Sequence, residues 1–292
     1  MNQIVPAIKI ASPATVTYET TILRAIRRDI APGTDATEFL ANSEAVKNWI
    51  ESKKAISTKC CYYKIVMKHA ISPAKELYVA EFNRCQTILK ARAESQIASE
   101  REEKAMMDWP DIVNCCREFI AEANASGDQW LIQDATIMAC FVLVPPRRID
   151  YSPMVVVSRK GKTVGNHLIA RKHSMTFVFN DFKNVATIGQ QVTEVPKDLE
   201  DQLRRWLAFN TTGWLFITRD GQAMSENVLG ITLTRLFEKR TKKKIGSSIL
   251  RHCYITWQRK DEMSLAKKKE LANYMSHSIA MDELYRRLSS FP

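Results

Sequence analysis

The chain has 292 residues, 45% of them hydrophobic and 26% charged, which is ordinary for a globular protein with room for two domains. No apolar run approaches membrane-spanning length and the N-terminal residues lack the layout of a signal peptide, so we expect an intracellular protein without a membrane partner. The net charge of +11 favours a polyanionic partner, and seven cysteines without zinc-ligand spacing predict free thiols, no metal site and no disulfide framework.

Residues 1–104 are predicted to form an all-helical domain. Pro and Thr punctuate the first 17 or so residues, which predicts a loose arm. Apolar residues at helical spacing then predict four helices, placed at Tyr18–Ile30, after an N-cap at Asp35 or Thr37, around Tyr62–His69 and from Ser72 and Pro73 onward. The charged stretch 91–104 holds few apolar side chains and predicts a linker or a helix extension.

Residues 105–292 are predicted to form a second domain. A helix begins at Trp109 after an Asp108 cap, and a nearly continuous apolar run over 130–144 predicts a buried helix that Pro145 and Pro146 end. Later elements are strands at Met154–Ser158, His167–Ala170, Met175–Phe179 and Thr187–Val195, a turn at 159–162, and helices at Pro196–Phe209 and after Ser225.

Positive charge is concentrated between residues 235 and 269, where twelve Lys or Arg side chains stand against three acidic ones. Such a cluster is typical of a nucleic-acid surface. Its centre, Lys242, Lys243 and Lys244, is our first candidate for DNA contact. A solvated helix face and a nuclear-import signal are the alternative interpretations.

The stretch from Ser248 to Tyr285 carries the chemistry. Ser248 and Arg251 are three residues apart, so they share one face of a predicted helix, while apolar residues recur on the opposite face. The polar face would offer a guanidinium, whose planar fork suits the non-bridging oxygens of a phosphate. His277 follows at a predicted helix end, and Tyr285 lies on the short helix that Ser278 caps.

This ordered set resembles the C-terminal signature of the tyrosine recombinases, or phage-type integrases, which share a catalytic core with type IB topoisomerases. The resemblance is carried by Leu-Arg-His-x-Tyr-Ile-Thr, Met-x-His-Ser and Tyr-Arg-Arg, and it covers the chain from about Trp109 onward. Further upstream, it implies that Arg147, with Asp150 three residues later, is the first family arginine, and that Lys183 is the lysine of a β-hairpin. Ser248 stands where the family most often has a histidine or lysine. Pro-Pro-Arg-Arg and Gly-Gln-Gln are closest in wording to recombinases of eukaryotic viruses and mobile elements, which implies the nucleus or cytoplasm of a host cell.

The resemblance implies an α+β fold, with a helical core-binding domain that closes over DNA, followed by a mostly helical catalytic domain with a small antiparallel sheet. It also implies that Tyr285 attacks a phosphodiester of double-stranded DNA to form a 3′-phosphotyrosine, while Arg147 and Arg251 hold the phosphate and Lys183 and His277 assist proton transfer. No cofactor or metal is implied. A homotetramer would act on paired DNA sites, and the free protein would be a monomer or dimer. The expected DNA contacts of the first domain are Lys53, Lys54, Lys59 and Lys64.

Several alternatives stay open at this point. A topoisomerase-like relaxase would use the same residues without strand exchange, and a DNA-binding protein that lost cleavage would explain Ser248, because serine is neither a cation nor titratable near neutral pH. Tyr274 is a rival nucleophile, Arg148 an off-pattern arginine, and Lys160 and Lys172 are rival lysines. Only seven residues follow Tyr285, so we expect any tetramer to use other surfaces, or a short tail such as Leu288–Pro292, rather than a long exchanged C-terminal helix.

Overall fold

The computed structural model describes residues 13–34, 37–159, 164–259 and 263–287. Most of the predicted N-terminal arm, the cap candidate Asp35, Lys160 with most of its turn, and the tail from Leu288 to Pro292 lie outside the described residues. Two compact units divide the chain, Met1–Ser95 and Gln96–Pro292. No helix of the described part is long and apolar enough to cross a membrane.

All secondary-structure elements in the described part of the first unit are helices. Its helices are α1 (Pro13–Ile30), a 3-10 turn (Glu38–Ala41), α2 (Ser43–Glu51), α3 (Ile56–His69) and α4 (Ala74–Ser95). The first helix begins at Pro13, inside the stretch predicted to be a loose arm, so that part of the prediction is wrong. Ile26, Val46, Tyr63 and Tyr78 are fully buried, and the Tyr78 hydroxyl donates to the Leu40 carbonyl at 2.8 Å.

The second unit combines nine helices with four short strands in its described residues. The helices are α5 (Glu100–Ala105), α6 (Trp109–Ser126), α7 (Gln129–Val142), α8 (Val185–Ile188), α9 (Lys197–Leu207), α10 (Glu226–Thr241), α11 (Ser247–Gln258), α12 (Leu265–Tyr274) and α13 (Ile279–Tyr285). The strands are β1 (Val155–Val157), β2 (His167–Ala170), β3 (Met175–Phe179) and β4 (Gln191–Glu194). The molecule is therefore of the predicted α+β class.

The strands form one sheet in the order β1-β2-β3-β4. The pairs β2–β3 and β3–β4 are antiparallel as expected, whereas β1 and β2 run parallel, so the sheet is mixed. Parallel neighbours need a crossover connection rather than a tight turn. The predicted turn at 159–162 lies in this connection, and all of it except Arg159 is outside the described residues.

The core of this unit is built around α7. Every residue of this helix from Ala135 to Val142 is buried, and an aspartate cap, Asp128, begins the helix by accepting from the backbone N–H groups of Trp130 and Leu131. The helix ends at Val142, shortly before Pro145 and Pro146. Proline has no backbone N–H to donate, and its ring clashes with the carbonyl group one turn earlier. Arg147 therefore lies in the connection that directly follows this buried helix.

Candidate active site

Arg147 is fully buried, with three hydrogen-bonded partners. Its Nε donates to the Asp150 carboxylate at 3.1 Å, and its Nη1 donates to Gln191 Oε1 at 2.6 Å and to the Tyr274 carbonyl at 2.5 Å. The guanidinium carbon lies 3.8 Å from the centroid of the Phe179 ring. Among the described residues, Nη2 has no partner. A buried donor without an acceptor costs free energy, so this nitrogen is suited to an oxygen of an anionic ligand.

Arg251 lies in the second turn of α11 and is 1% exposed. Its Nη1 donates to the Met275 carbonyl at 2.9 Å, and its Nη2 donates to Nδ1 of His277. Nε finds no acceptor within the described part of the chain. Burial lowers the pKa of Arg251 to about 10, an effect that Tyr285 opposes and Arg148 reinforces. The guanidinium therefore stays charged at neutral pH.

A tight turn after α12 brings His277 beside Arg251. Ser276 N–H donates to the Asn273 carbonyl and His277 N–H to the Ala272 carbonyl, both at 3.0 Å, which is the hydrogen-bond pattern of a Schellman motif. Ser276 has the left-handed backbone conformation of that motif, with φ 57°. Its hydroxyl donates to Gln191 Oε1 at 2.9 Å, and this bond joins the turn to β4.

Both ring nitrogens of His277 are engaged. A guanidinium can only donate, so Nδ1 accepts from Arg251, and Nε2 donates to the Asp282 carboxylate at 3.1 Å. Burial lowers the pKa of His277 below its ordinary value, although Asp282 opposes the change. In this arrangement a neutral His277 positions Arg251, and direct donation to a phosphate would require exchange of the Asp282 contact.

Tyr285 is the last residue of α13 and is half-buried. Its ring is stacked on His277, with centroids 5.5 Å apart and an interplanar angle of 15°. The Arg251 guanidinium carbon lies 4.8 Å from the centroid of the same ring. The rival tyrosine, Tyr274, has a buried hydroxyl, and burial raises the pKa of Tyr274 well above its usual value. Of the two tyrosines, Tyr285 is therefore the more accessible.

Lys183 lies on the connection between the antiparallel strands β3 and β4, in agreement with its predicted hairpin position. Its side chain is exposed. The two adjacent residues contact residues described above. The Phe182 ring centroid is 5.3 Å from the Arg147 guanidinium carbon, and Asn184 Nδ2 donates to the Ser276 carbonyl at 2.8 Å. Lys183 therefore lies between two residues that contact Arg147 and Ser276, whereas Lys172 lies in the exposed turn between β2 and β3.

Ser248 is exposed in the first turn of α11, one turn before Arg251. Arg251, predicted to be offered by the polar face of this helix, is covered by the turn at His277 and by Tyr285 of α13. Leu250, Cys253 and Tyr254 are buried as predicted from the apolar spacing.

Three further residues complete the cluster and were missed by reasoning from the sequence. Gln191 accepts from both Arg147 and Ser276, and its amide nitrogen donates to the Asn273 carbonyl. Asp282 accepts from His277 and from Arg259; burial tends to raise the pKa of Asp282, but these two partners hold it below its ordinary value. His252 contacts the Tyr285 carbonyl through Nδ1 at 2.7 Å. The available signals were Gly-Gln-Gln for Gln191 and the position next to Arg251 for His252.

The lysines predicted to contact DNA differ in how far they are already engaged. In the first unit, Lys54 and Lys64 are exposed, Lys59 pairs with Glu51 at 2.5 Å, and Lys53 lies 3.5 Å from the centroid of the Trp49 ring. In the second unit, Lys242 and Lys244 are exposed, with Lys244 3.4 Å from Glu238, while Lys243 donates to the Met106 carbonyl at 2.5 Å.

Two of the solved structures that resemble the chain are recombinases. One is XerA recombinase, with 12% sequence identity and a TM-score of 0.43 over 96% of this chain and 89% of that chain. The other is XerH site-specific recombinase bound to a palindromic difH substrate in a post-cleavage complex, with 12% identity and a TM-score of 0.39 over 96% of this chain and 94% of that chain. No protein-family model and no curated protein matches the sequence. At this level of similarity the neighbours assign no role to any residue, so each role depends on the chemistry of the cluster.

Proposed function

We propose that the chain is a DNA strand-cleaving and rejoining enzyme of the tyrosine recombinase type, with Tyr285 as its nucleophile. One observation carries this proposal. Arg147 and Arg251 are both buried, both keep one guanidinium nitrogen without a partner in the described residues, and the Tyr285 ring lies beside Arg251. Two such cations, one of them beside a phenol, are groups that a phosphodiester transesterification needs.

These positions support the following reaction. The Tyr285 hydroxyl gives its proton to solvent as its oxygen attacks the phosphorus, the bond to the 5′ oxygen breaks, and the DNA is left with a 3′-phosphotyrosine and a free 5′ hydroxyl. The energy of the phosphodiester is retained in the covalent intermediate, so rejoining needs no nucleotide cofactor. Arg147 Nη2 and Arg251 Nε would donate to the non-bridging oxygens, where negative charge increases in the transition state. By analogy with one oxyanion-hole donor, each is worth about 3 kcal/mol.

Lys183 is the proposed general acid for the leaving 5′ oxygen. It is a cation that can give up a proton, and it is exposed on a connection whose neighbouring residues contact Arg147 and the Ser276 carbonyl. Ser248 cannot take this role, because a serine hydroxyl does not titrate near neutral pH. His277 acts through Arg251 as a positioning residue.

Double-stranded DNA is the proposed partner. The net charge of +11, the basic segment between residues 235 and 269 and the exposed Lys54, Lys64 and Lys242 support a polyanionic ligand. Site-specific recombination by a homotetramer on paired sites, and an origin in a virus or mobile element, remain the finer parts of the proposal.

The test is covalent capture. A pool of duplexes with randomised sequence, each carrying a nick so that the short fragment released by cleavage diffuses away, is incubated with the native protein and then denatured in detergent. We expect a DNA–protein adduct from the native chain and from Tyr274→Phe, and none from Tyr285→Phe. An adduct that persists in Tyr285→Phe, or its absence from the native chain, would contradict the proposal.

The captured sequences also separate the alternatives. Strand exchange between two copies of a captured site supports a recombinase, whereas relaxation of a supercoiled plasmid without exchange supports a topoisomerase-like relaxase. DNA binding that is equal in the native chain and in Tyr285→Phe, with no adduct from either, would favour a protein that has lost cleavage.

A further inference from the structure

Helix α13, which carries Tyr285, is too short to hold itself in place. It has seven residues, and an isolated helix of that length is unstable in water. At its start, the Ser278 hydroxyl accepts from the Met281 N–H at 3.2 Å. The position of Tyr285, at the opposite end, must therefore be set by contacts with the rest of the unit.

Side chains satisfy the last carbonyl groups of α13, which a helix leaves without intrahelical partners. Gln96 Nε2 donates to the Glu283 carbonyl at 2.8 Å, and Arg287 Nη1 donates to the Leu284 carbonyl at 2.7 Å. The Tyr285 carbonyl contacts His252 Nδ1 at 2.7 Å. A positive side chain such as Arg287 is also favourable at this end of a helix, because the helix dipole is negative there.

Three side chains near this end of α13 contact one another, and we call them the α13 latch: Glu102, His252 and Arg287. Glu102 Oε1 accepts from Arg287 Nη2 at 2.8 Å, and the same nitrogen lies 3.3 Å from His252 Nε2. The other oxygen of Glu102 accepts from the backbone and side chain of Ser99 at 2.8 and 2.9 Å, in the capping box of α5. The backbone N–H of Arg287 donates to Thr256 Oγ1 on α11 at 3.0 Å.

His252 Nε2 lies 3.3 Å from both Arg287 Nη2 and Glu102 Oε1, and the contact with Arg287 fits a neutral ring. A carbonyl can only accept, so Nδ1 carries the proton, and a guanidinium can only donate, so Nε2 accepts from Arg287. This is the neutral ring, in agreement with burial, which lowers the pKa of His252 to about 4. The side chains of Glu102, His252 and Arg287 are 22%, 10% and 12% exposed, so their mutual contacts are only weakly screened by water.

His252 directly follows Arg251, and both residues contact Tyr285. Arg251 lies beside the Tyr285 ring, with its guanidinium carbon 4.8 Å from the ring centroid, while His252 holds the carbonyl of the same tyrosine and has its own ring 4.8 Å away. Two consecutive residues of α11 therefore set the distance between a phosphate-binding guanidinium and the attacking phenol.

We propose that Glu102, His252 and Arg287 are positioning residues that dock α13 so that the Tyr285 oxygen meets the phosphate held by Arg147 and Arg251. The inference rests on the proposed function for its effect on cleavage. It also makes residues 96–105, which follow α4 in the chain, part of the machinery that orders the nucleophile.

The test uses the full chain with Glu102→Ala, Arg287→Ala and the double variant, and Glu103→Ala as the matched control, because Glu103 is an exposed acidic residue of the same helix. Amide hydrogen exchange is measured over residues 279–287. We expect at least tenfold faster exchange there in Glu102→Ala and Arg287→Ala, and native exchange in Glu103→Ala. The double variant should exchange no faster than the faster single variant, because both changes open one latch.

The second readout is the single-turnover rate of adduct formation at saturating DNA, on a captured duplex. We expect a 10- to 100-fold slower rate in the latch variants and a DNA Kd within twofold of the native value, because the latch positions the nucleophile and does not bind DNA. Native exchange over residues 279–287 in both single variants would overturn the inference. So would faster exchange with an unchanged cleavage rate. If the native chain forms no adduct, the proposed function fails, and the exchange measurement still decides whether the latch orders α13.

Discussion

At the scale of single residues, the two arginines differ in how their charge is balanced. Arg147 has the Asp150 carboxylate as a direct partner; burial raises the pKa of Asp150, and Arg147 opposes that rise. Arg251 contacts a carbonyl and a neutral imidazole. A buried cation that is not fully neutralised is costly, and an anion beside it recovers part of that cost. This imbalance of charge supports the proposal that the two arginines hold one anionic group.

Arg147→Lys tests whether guanidinium geometry, and not charge alone, is required. An ammonium cannot reach Asp150, Gln191 and the Tyr274 carbonyl together while offering a further donor to the phosphate. We expect cleavage to slow by roughly a hundredfold or more, equivalent to about 3 kcal/mol. Arg148→Lys, next to it on the chain and half-buried, should change the rate much less. Equal losses in the two variants would contradict the assignment of Arg147. The measurement is the single-turnover rate of adduct formation.

At the scale of elements, the turn after α12 is the structural centre of the site. Its Schellman motif positions His277, and the hydroxyl of Ser276 connects the turn to Gln191, which in turn accepts from Arg147. A serine in the left-handed position is less favourable than glycine, so the hydrogen bond to Gln191 offsets a backbone cost of about 1 kcal/mol.

Ser276 gives a prediction that reverses the usual order of alanine and glycine. Ser276→Ala loses the bond to Gln191 and keeps the left-handed cost, so the free energy of unfolding should fall by about 1–2 kcal/mol. Ser276→Gly loses the same bond but gains backbone freedom at φ > 0, so it should remain within about 1 kcal/mol of the native protein. Urea unfolding measures both. A glycine variant that is less stable than the alanine variant would show that the turn is not held as described.

The docking of α13 predicts a dependence of stability on pH. The pKa of His252 falls from an ordinary 6.5 to about 4 on burial, so the unfolded chain binds more protons between these values and stability rises with pH across that window. The pKa of Glu102 is held at about 2, where burial alone would raise it, chiefly by Arg287 and Ser99; its stabilising contribution is present above about 4.5 and is lost as pH falls towards 2.

His252→Asn removes the titration and retains a donor for the Tyr285 carbonyl. In the native protein, the titration of His252 should lower the free energy of unfolding by up to about 3 kcal/mol as the pH falls from 6.5 to 4. This is the free energy that corresponds to a pKa shift of two to three units. The slope over that window should be shallower in His252→Asn, while the two slopes agree above pH 7. Urea unfolding at pH 4.5, 5.5, 7.5 and 8.5 measures the difference, and parallel slopes throughout would contradict a neutral, buried His252.

How far the sequence predicts this site depends on the range of the contacts. Arg147, Arg251, His277 and Tyr285 follow from an ordered motif, and the Arg147–Asp150 contact follows from a three-residue spacing. Gln191 and His252 contact residues far away in the chain, and their local motifs do not report which distant residue each of them contacts. Alternating residues predicted the strands, but alternation does not report direction, so the parallel pairing of β1 with β2 was missed.

At the scale of the whole molecule, DNA binding should depend on which lysines are free. Lys54 and Lys64 are exposed, whereas Lys59 is already paired with Glu51. A lysine that contacts a phosphate releases about one counterion on binding, so each contributes to the salt dependence of the affinity. A lysine paired within the protein has to exchange its partner first and contributes less.

Lys54→Gln and Lys64→Gln should weaken DNA binding and reduce the slope of log K against log salt by about one each. Lys59→Gln serves as the matched variant on the same unit and should change the slope by less than half as much. Titrations at several salt concentrations, with any duplex that the protein binds, give the slopes. Identical slopes for all three variants and the native chain would show that this surface does not meet the phosphates.

The central claim is that the Tyr285 oxygen becomes bonded to DNA, and the most direct measurement is the position of that bond. The tryptic peptide 270–286 contains both Tyr274 and Tyr285. Fragment-ion mass spectrometry of the nuclease-trimmed adduct therefore has to locate the phosphate within this peptide. A phosphate on Tyr285 is the predicted result. A phosphate on Tyr274 or on any other residue, or no adduct from the native chain, would contradict the account.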